Sequence, residues 1–299
     1  MSHFRRLREF AEVAVIVVTY RSAKDLPALI ESLRAEAENT SLRVVVADNQ
    51  SDDGTLQLAQ AYSAVIAIDT GGNLGYAGGV NRAMAYADDI PAVLILNPDS
   101  VVQPGCIQAL LNRLGGNVGA VVPLLKDGHG KLAHSLRNEP GLLRALSDAL
   151  LGRFWRSRPG WLSEFIRDDR KYRRARQIDW ATGAAVMVAR QVWDTVGQWD
   201  ERFFLYSEET DFFSRVRAVG FSVWFEPAAE VVHRGGGSGT SPQLNALLVL
   251  NKVKYFSKHR PRSAGLFKFF VSLGLALRRG DSSHDLARQM LRNPGRERE

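Results

Sequence analysis

The chain has 299 residues, of which 45% are hydrophobic and 24% charged, with 26 glycines and one cysteine. This composition is typical of a folded globular protein and excludes collagen-like and intrinsically disordered classes. Because Cys106 has no partner for an internal disulfide and the N-terminal segment lacks a signal-peptide pattern, we expect a cytoplasmic protein.

The net charge of +7 is concentrated at the C-terminal end. Residues 252–299 contain 12 Lys/Arg and 4 Asp/Glu, so the preceding 251 residues are almost neutral at −1. A nucleic-acid-binding protein would spread basic and aromatic residues over a folded face. We therefore expect no nucleic-acid partner and a basic C-terminal extension.

Short apolar runs alternate with amphipathic segments in the first hundred residues. The β-branched runs predict strands at 13–19, 42–47, 65–68 and 92–96. The periodic segments predict helices at 23–37, 55–62 and, after a glycine-rich loop, 80–87. This alternation indicates a parallel α/β sheet with right-handed crossovers.

The second half of the chain is less regular. Residues 142–177 are rich in arginine and tryptophan and are predicted to form a helical surface insertion. Further strands are expected at 184–189, 222–226 and 230–233, and helices at 191–196 and 208–219.

Ligands of open parallel sheets bind beyond the carboxyl ends of the strands. The segments at those ends are 19–21, 48–49, 71–81 and 97–99. We expect them to converge on one crevice.

Two of these segments point to a nucleotide. The carboxylate of Asp48 suits the imide N–H of a pyrimidine base, although a turn or helix-capping aspartate gives the same pattern. The glycine-rich stretch exposes backbone ahead of a helix, as close approach by sugar and phosphates requires. Because it lacks the G-x-G-x-x-G spacing, a nicotinamide-binding domain is disfavoured.

Four acidic residues and one histidine are candidates for metal binding and acid–base chemistry. Asp99 follows a strand and proline, and it either anchors Mg²⁺ together with substrate phosphates or closes an Asx turn. His233 ends an apolar strand and either reaches that metal or is structural. Glu208, Glu209 and Asp211 crowd their carboxylates, which favours a general base, although an acidic helix N-terminus gives the same cluster.

In their order along the chain, these motifs resemble family 2 glycosyltransferases of the GT-A fold, specifically the bacterial rhamnosyltransferase-like branch. The resemblance covers about residues 13–239. It rests on VVTYR (17–21), ADNQSDDGT (47–55), GNLGYAGGVN (72–81), LNPDS (96–100), TGA (182–184), FFLYSEETD (203–211) and VHRG (232–235).

The resemblance implies a set of site residues. The nucleotide-sugar donor pocket would contain Thr19, Tyr20, Arg21, Asp48, Asn73, Gly75, Asn81, Asn97 and Asp99. The segment 97–99 occupies the family's Asp-x-Asp position with asparagine first, so a divalent cation, Mg²⁺ or Mn²⁺, would rest mainly on Asp99 with help from His233. The base would be Glu209, which stands where the family has the aspartate of a Glu-Asp pair, so Glu208 remains the alternative base. Asp211 would orient the acceptor.

The resemblance also implies an architecture. We expect an α/β GT-A fold with a Rossmann-like, mostly parallel sheet flanked by helices, a helical insertion at 142–177 and a helical, basic C-terminal tail. The expected divisions are a leader at 1–12, a catalytic domain at 13–251 with its nucleotide-sugar half ending near residue 100, and an extension at 252–299.

The implied activity is inverting, metal-dependent transfer of L-rhamnose from dTDP-rhamnose to a lipid-linked or polysaccharide acceptor in cell-envelope glycan biosynthesis. UDP-galactofuranose, UDP-hexose and GDP-mannose remain alternative donors. A sugar nucleotidyltransferase is disfavoured because residues 19–23 do not form a glycine-rich, basic loop after the first strand. A non-enzymatic nucleic-acid-binding protein, using the basic tail, is the remotest alternative.

An apolar run at residues 264–277 is too short to span a bilayer, which requires about 20 apolar residues. Its basic flanks are Lys252, Lys254, Lys258, Arg260, Arg262, Arg278 and Arg279. This combination predicts a segment lying in an anionic membrane interface, with the protein peripheral on the inner face of the plasma membrane. A helix packed against the catalytic domain is the alternative.

Overall fold

The computed structural model describes residues 11–235, 241–278 and 282–292. Its strands are β1 (Val13–Thr19), β2 (Leu42–Asp48), β3 (Val65–Asp69), β4 (Ala92–Leu96), β5 (Ser100–Val102), β6 (Val118–Lys126), β7 (Leu136–Arg137), β8 (Arg176–Ile178), β9 (Trp180–Ala181), β10 (Ala185–Ala189) and β11 (Ser222–His233). Its helices are α1 (Leu26–Glu36), α2 (Thr55–Ala61), α3 (Gly75–Met84), α4 (Cys106–Arg113), α5 (Leu142–Leu151), α6 (Arg190–Val196), α7 (Glu208–Ala218), α8 (Pro242–His259), α9 (Ala264–Leu277) and α10 (Ser282–Arg292). The predicted leader lies almost entirely outside the described residues.

The first four strands form the predicted parallel sheet, in the order β3-β2-β1-β4. Every residue of β1 is buried, as its unbroken apolar sequence requires in a sheet covered on both faces. Helix α1 covers one face with Leu26, Leu29, Ile30 and Leu33. The register sets Thr19 beside Asp48, so the strands end together at one edge.

The second half of the sheet is mixed. β10 lies antiparallel between β4 and β6, and β11 runs parallel to β6 and antiparallel to β5 and β8. The two strands predicted at 222–226 and 230–233 are one strand, whose register shifts between Glu226 and Glu230. β6 was not predicted from the sequence, because it contains a glycine and a proline, which are uncommon in strands. Gly119 is needed there, since a Cβ would lie 2.7 Å from Val192 Cγ2.

The insertion at 142–177 is less helical than predicted. It contains α5, a single 3₁₀ turn at Asp169–Tyr172 and irregular chain between them. Tyr172 anchors this chain, because its hydroxyl accepts from Leu136 N–H and donates to the Ile166 carbonyl. The Tyr172 hydroxyl therefore connects this irregular chain to the backbone of β7.

The C-terminal extension is helical, as predicted, and its expected start is residue 252. That boundary falls inside α8, whose Asn251 amide donates to the Leu205 carbonyl. Helices α5, α8, α9 and α10 share a buried apolar cluster, in which Phe256 and Phe267 stack at 3.9 Å between ring centroids. Within the described ranges, no helix combines the length and hydropathy needed to cross a membrane.

Several lysines predicted to face a membrane have partners within the protein instead. Lys252 forms an ion pair with Glu164, and Lys258 lies 2.8 Å from an Asp200 oxygen. The Lys254 ammonium donates to the carbonyl of Arg202 at 2.6 Å. The first part of the basic extension therefore attaches α8 to the preceding part of the chain. Arg279 lies outside the described residues.

Helices α5 and α9 cross at Gly274, where a Cβ would lie 3.1 Å from Ala149 Cα. We predict that Gly274→Val separates the helices and lowers the free energy of unfolding by about 1–3 kcal/mol more than Gly265→Val does. Gly265 lies in the same helix, and a Cβ there would meet no atom within 4 Å, so this variant makes the same exchange of residue type without the contact. Thermal and urea unfolding of both variants measure the difference; equal effects would contradict close packing at this crossing.

Candidate active site

A crevice of about 590 Å³ opens at the carboxyl ends of β1, β2 and β4 and faces the start of α7. It brings together nine of the residues predicted for the site: Thr19, Tyr20, Asn73, Gly75, Asn97, Asp99, Glu208, Glu209 and His233. These residues come from segments more than 200 positions apart, and the fold places them around one crevice.

Strand pairing positions Asp99 beside His233. Asp99 follows β4 in a turn, and the next strand, β5, pairs antiparallel with the end of β11 so that Ser100 lies opposite His233. His233 Nε2 is 3.1 Å from Asp99 Oδ1 and 3.2 Å from the Asn97 amide nitrogen. Burial acts to raise the pKa of Asp99, but the hydrogen bond and charge of His233 outweigh it, so the pKa is lowered. Asp99 is therefore a stable anion.

This pair fits a divalent cation that is held partly by its substrate. Across the described part of the chain, no three His, Cys, Asp or Glu residues form a cluster that could enclose a metal alone. Mg²⁺ and similar ions commonly take one or two carboxylates and complete their shell with phosphate oxygens and water. Asp99 and His233 supply such an incomplete set on the crevice wall.

Two glutamates begin α7 on the opposite wall. They follow Tyr206 and Ser207, whose φ angles of 70° and 72° are left-handed and turn the chain sharply into the helix. Glu208 is buried at 4% exposure, and neither Glu208 Oε2 nor Glu209 Oε2 has a hydrogen-bond partner. Buried polar atoms without a hydrogen-bond partner are uncommon in native proteins, so these two carboxyls are candidates for a functional role.

The two glutamates have different electrostatic surroundings. Burial, and then repulsion from Glu209, raises the pKa of Glu208 well above its ordinary value. Burial also raises the pKa of Glu209, but backbone N–H groups, including that of Gly183, and the positive charge of Arg137 oppose the increase. Of the pair, Glu208 therefore retains a proton more readily, and Glu209 ionises first.

Tyr76 lies among the acidic residues and was not singled out from the sequence. Its hydroxyl is 3.5 Å from the Gly183 carbonyl, and burial together with Glu208, Glu209 and Asp99 raises its pKa well above the ordinary value. It remains a neutral hydrogen-bond donor between the two walls. Its position within the glycine-rich motif could have identified it as a residue of the site.

Gly75 makes a close contact with Phe204 that was not predicted from the sequence. A Cβ at this position would lie 2.1 Å from the Phe204 carbonyl oxygen, and the residue has a φ of 73°. The Phe204 carbonyl accepts from Tyr76 N–H at 2.8 Å, and the Gly75 carbonyl accepts from the Asn49 amide at 2.9 Å. The glycine thus permits close approach of the loop before α7, in addition to lining the crevice.

Three residues predicted for the donor pocket do not line the crevice. Asp48 is fully buried, accepting from the Thr19 hydroxyl at 2.7 Å and from the Ser51 hydroxyl and N–H. Arg21 forms an exposed bidentate pair with Asp52.

Asn81 is likewise occupied, because its amide bonds to the backbone of Trp199 and to Glu201. In this structure, Arg21, Asp48 and Asn81 support the crevice wall through contacts within the protein.

Asp211 is also separate from the crevice. Its carboxylate is fully buried and lies 2.8 Å from Arg215, 2.5 Å from Lys258 and 2.7 Å from His259. Burial acts to raise its pKa, and these hydrogen bonds lower it overall. The geometry gives Asp211 a structural role in joining α7 to α8, in place of the expected contact with the acceptor.

Sequence reasoning missed some of the crevice lining. The additional residues are Val18, Ser22, Asn49, Tyr76, Pro98, Thr182, Gly183, Ala184, Phe204, Leu205, Tyr206 and Leu244. Most belong to the motifs named above and could have been included on that ground. Leu244 has no such signal, because it enters from α8, whose position depends on tertiary packing.

Comparisons with known proteins agree with this geometry. The chain is 33% identical over 298 residues to the N-acetylglucosaminyl-diphospho-decaprenol L-rhamnosyltransferase of Mycobacterium tuberculosis (strain CDC 1551 / Oshkosh), covering 94% of this chain and 95% of that protein. It is 26% identical over 231 residues to the rhamnosyltransferase WbbL of Escherichia coli (strain K12), covering 74% and 83%.

A solved structure shares the fold. The mannosyltransferase PcManGT from Pyrobaculum calidifontis, in complex with GDP-Man and Mn²⁺, superposes with a TM-score of 0.54 and 17% identity, covering 96% of this chain and 83% of that one. The family model described as "Glycosyl transferase family 2" matches residues 14–190, more than half of the chain. The predicted GT-A fold and the resemblance are thereby confirmed: this chain belongs to glycosyl transferase family 2 and is a glycosyltransferase.

Proposed function

We propose that the protein is an inverting, divalent-cation-dependent glycosyltransferase that moves L-rhamnose from dTDP-rhamnose to a lipid-linked acceptor in cell-envelope glycan biosynthesis. One observation carries the proposal: an anionic Asp99 with His233 on one wall of the crevice faces Glu208 and Glu209 on the other, and each glutamate has one carboxyl oxygen without a hydrogen-bond partner. Inverting transfer requires two groups on opposite sides of the sugar. One stabilises the charge on the leaving group, and the other is a base that takes the proton of the attacking hydroxyl.

The residues support a single displacement. The acceptor hydroxyl gives its proton to Glu209 while its oxygen bonds to the anomeric carbon of the donor. The bond from that carbon to the diphosphate oxygen breaks, and its electron pair leaves with the nucleoside diphosphate, so the configuration inverts. A divalent cation bound by Asp99 and His233 would supply Lewis-acid stabilisation to the leaving diphosphate.

Glu209 is the better base of the two glutamates. It lines the crevice and ionises before Glu208, whose burial favours the protonated form. A protonated Glu208 is neutral and does not repel the carboxylate of Glu209. The pair therefore carries one negative charge when the acceptor binds. We therefore assign proton abstraction to Glu209, and we assign to Glu208 the role of setting the pKa of Glu209.

The choice of sugar and acceptor rests on the relatives. The mycobacterial protein, which matches almost the whole chain, is named for L-rhamnosyl transfer and for an N-acetylglucosaminyl-diphospho-decaprenol. The second relative is also named a rhamnosyltransferase. These names favour L-rhamnose over galactofuranose or mannose, and a lipid-linked acceptor over a free polysaccharide.

A lipid-linked acceptor calls for attachment to a membrane surface. We define the apolar rim as Leu150, Leu151, Phe154 and Leu277, all exposed, with Phe154 at 83%. These residues share one end of the α5–α9 pair, because Arg278 after α9 bonds to Asp148 near the end of α5. The adjacent loop carries exposed Arg153 and Arg156. Apolar and cationic side chains together suit an anionic bilayer surface, with the protein peripheral on its cytoplasmic side.

A donor panel tests the activity. We expect release of nucleoside diphosphate from dTDP-rhamnose with a polyprenyl-diphosphate-linked N-acetylglucosamine acceptor, in Mg²⁺ or Mn²⁺, and none in EDTA. Glu209→Gln should lower kcat by about 10²–10⁴-fold with donor affinity unchanged, because proton abstraction acts only in the transition state. Glu208→Gln resembles the protonated side chain and should retain most activity.

The same panel tests the metal residue. Asp99→Asn should remove metal-dependent donor binding, whereas Asp88→Asn, on an exposed aspartate paired with Arg190, should not. If dTDP-rhamnose is inert and another sugar nucleotide turns over, the donor assignment is wrong. Full activity of both Glu209→Gln and Asp99→Asn would contradict the proposed mechanism.

The raised pKa of Glu208 predicts a pH dependence of stability. Because the folded protein binds this proton more tightly than the unfolded chain, the free energy of unfolding falls as the pH rises from the ordinary glutamate value through the raised pKa. Between those two values, stability falls by about 1.4 kcal/mol for each pH increase of about one. Glu208→Gln should flatten this slope in urea titrations between acidic and neutral pH. Glu31→Gln, on an exposed glutamate, is the control; identical slopes in both variants would contradict the raised pKa.

Vesicle co-sedimentation tests the membrane proposal. Phe154→Glu removes a large exposed aromatic residue from the apolar rim and should weaken binding to anionic vesicles by about tenfold, since burying such a side chain contributes about 1.5–3 kcal/mol. Tyr86→Glu, at 42% exposure in the nucleotide half, should bind like the wild type. Equal sedimentation of the two variants, or no preference for anionic lipid, would exclude this surface.

A further inference from the structure

A second cavity lies behind the glutamates, between the insertion and the C-terminal helices. Its volume is about 450 Å³, and we call it the α5–α9 cavity. It shares Thr182, Tyr206 and Glu209 with the crevice, so the proposed base contacts both spaces. Neither Asp99 nor His233 lines it.

One wall of the α5–α9 cavity is apolar. Helix α5 contributes Ala149, α8 contributes Leu248, and α9 contributes Val271 and Leu275. Leu248 and Phe165 line the cavity and are 45% and 39% exposed, so the cavity reaches the surface beside them. An apolar chain can therefore enter from outside and lie along the helices.

The other wall carries three cations with different partners. Lys252 pairs with Glu164, and Arg278 pairs with Asp148. Arg137 forms no carboxylate ion pair within the described residues; its Nη1 donates to two backbone carbonyls, and its guanidinium stacks on Phe165 at 4.2 Å. A guanidinium that forms no direct ion pair with a carboxylate is suited to bind phosphate oxygens.

We propose that the α5–α9 cavity binds the acceptor, an amphiphile whose phosphate linkage contacts Arg137 and whose apolar chain lies against α5 and α9. The inference rests on the proposed function and adds the place and chemical class of the second substrate. A sugar attached to that phosphate would extend past Thr182 and Tyr206 to Glu209. The donor enters from the crevice on the other side of the same carboxylate.

Calorimetric titration of the full-length protein with farnesyl diphosphate tests this assignment. The titrations contain EDTA, because a diphosphate held at Asp99 would depend on a divalent cation. Inorganic pyrophosphate supplies the anion without the chain, and octyl glucoside below its critical micelle concentration supplies a chain without the anion. We expect farnesyl diphosphate to bind at least about tenfold more tightly than either.

Two half-exposed leucines provide a matched pair of variants. Leu248→Glu puts a carboxylate at the cavity mouth and should weaken binding of farnesyl diphosphate by about tenfold or more. Leu266→Glu, at 48% exposure on α9 and outside the cavity lining, should leave it unchanged. Arg137→Gln should weaken binding to a similar extent, because it removes the cation and keeps a polar side chain.

The outcomes separate this inference from the proposed function. Equal affinities for farnesyl diphosphate and pyrophosphate, or equal effects of Leu248→Glu and Leu266→Glu, would overturn the acceptor cavity even if donor turnover is observed. If dTDP-rhamnose does not bind in Mn²⁺ but the farnesyl diphosphate results hold, the proposed rhamnosyl transfer falls and the amphiphile site stands.

Discussion

The active-site glutamates depend on a buried ion cluster that lies outside the crevice. Asp211, one turn into α7, is held by Arg215 of the same helix and by Lys258 and His259 of α8. Breaking a buried pair by removing one partner commonly costs about 3–5 kcal/mol, because it leaves an uncompensated charge. This cluster therefore fixes the direction of α7 and, with it, the carboxyl of Glu209. It also holds α8, which contributes to both cavities.

The acidic start of α7 illustrates how environment divides the roles of similar side chains. Three carboxylates lie in the first turn, where the helix dipole stabilises negative charge. Asp211 forms ion pairs with Arg215 and Lys258 and lies 2.7 Å from His259 Nε2, which keeps its pKa low. Glu208 and Glu209 have unpartnered oxygens and raised pKa values. The sequence shows one acidic cluster, but hydrogen bonding separates a structural carboxylate from two chemically available ones.

The first half of the fold was predictable because local patterns determine it. Each parallel strand is built on a short apolar run and the crossover helices are amphipathic, so the elements and their common edge follow directly. Helix α3 begins five residues earlier than expected, since its glycines are placed for contacts: a Cβ on Gly79 would lie 2.5 Å from Val18 Cγ1. Such packing requirements arise from tertiary structure and leave no periodic signal.

The site was predictable to the extent that motifs carry it. Asp99 and His233 lie together because two strand ends converge, whereas Asn81 carries the same kind of motif signal and turns its amide toward Trp199. A motif gives residue identity without the direction of the side chain. Arg137 escaped notice for the opposite reason, because it lies in the two-residue strand β7 outside any motif.

The contact between Gly75 and the loop before α7 has an evolutionary consequence. Main-chain hydrogen bonding at Tyr76 N–H and the Phe204 carbonyl connects the nucleotide half of the crevice to the half that carries the glutamates. Because backbone atoms form this bond, side chains lining the pocket can be exchanged without shifting the two halves relative to each other. The scaffold can thus acquire a preference for a different ligand through substitutions in the pocket, while the position of the Glu209 carboxyl is inherited unchanged.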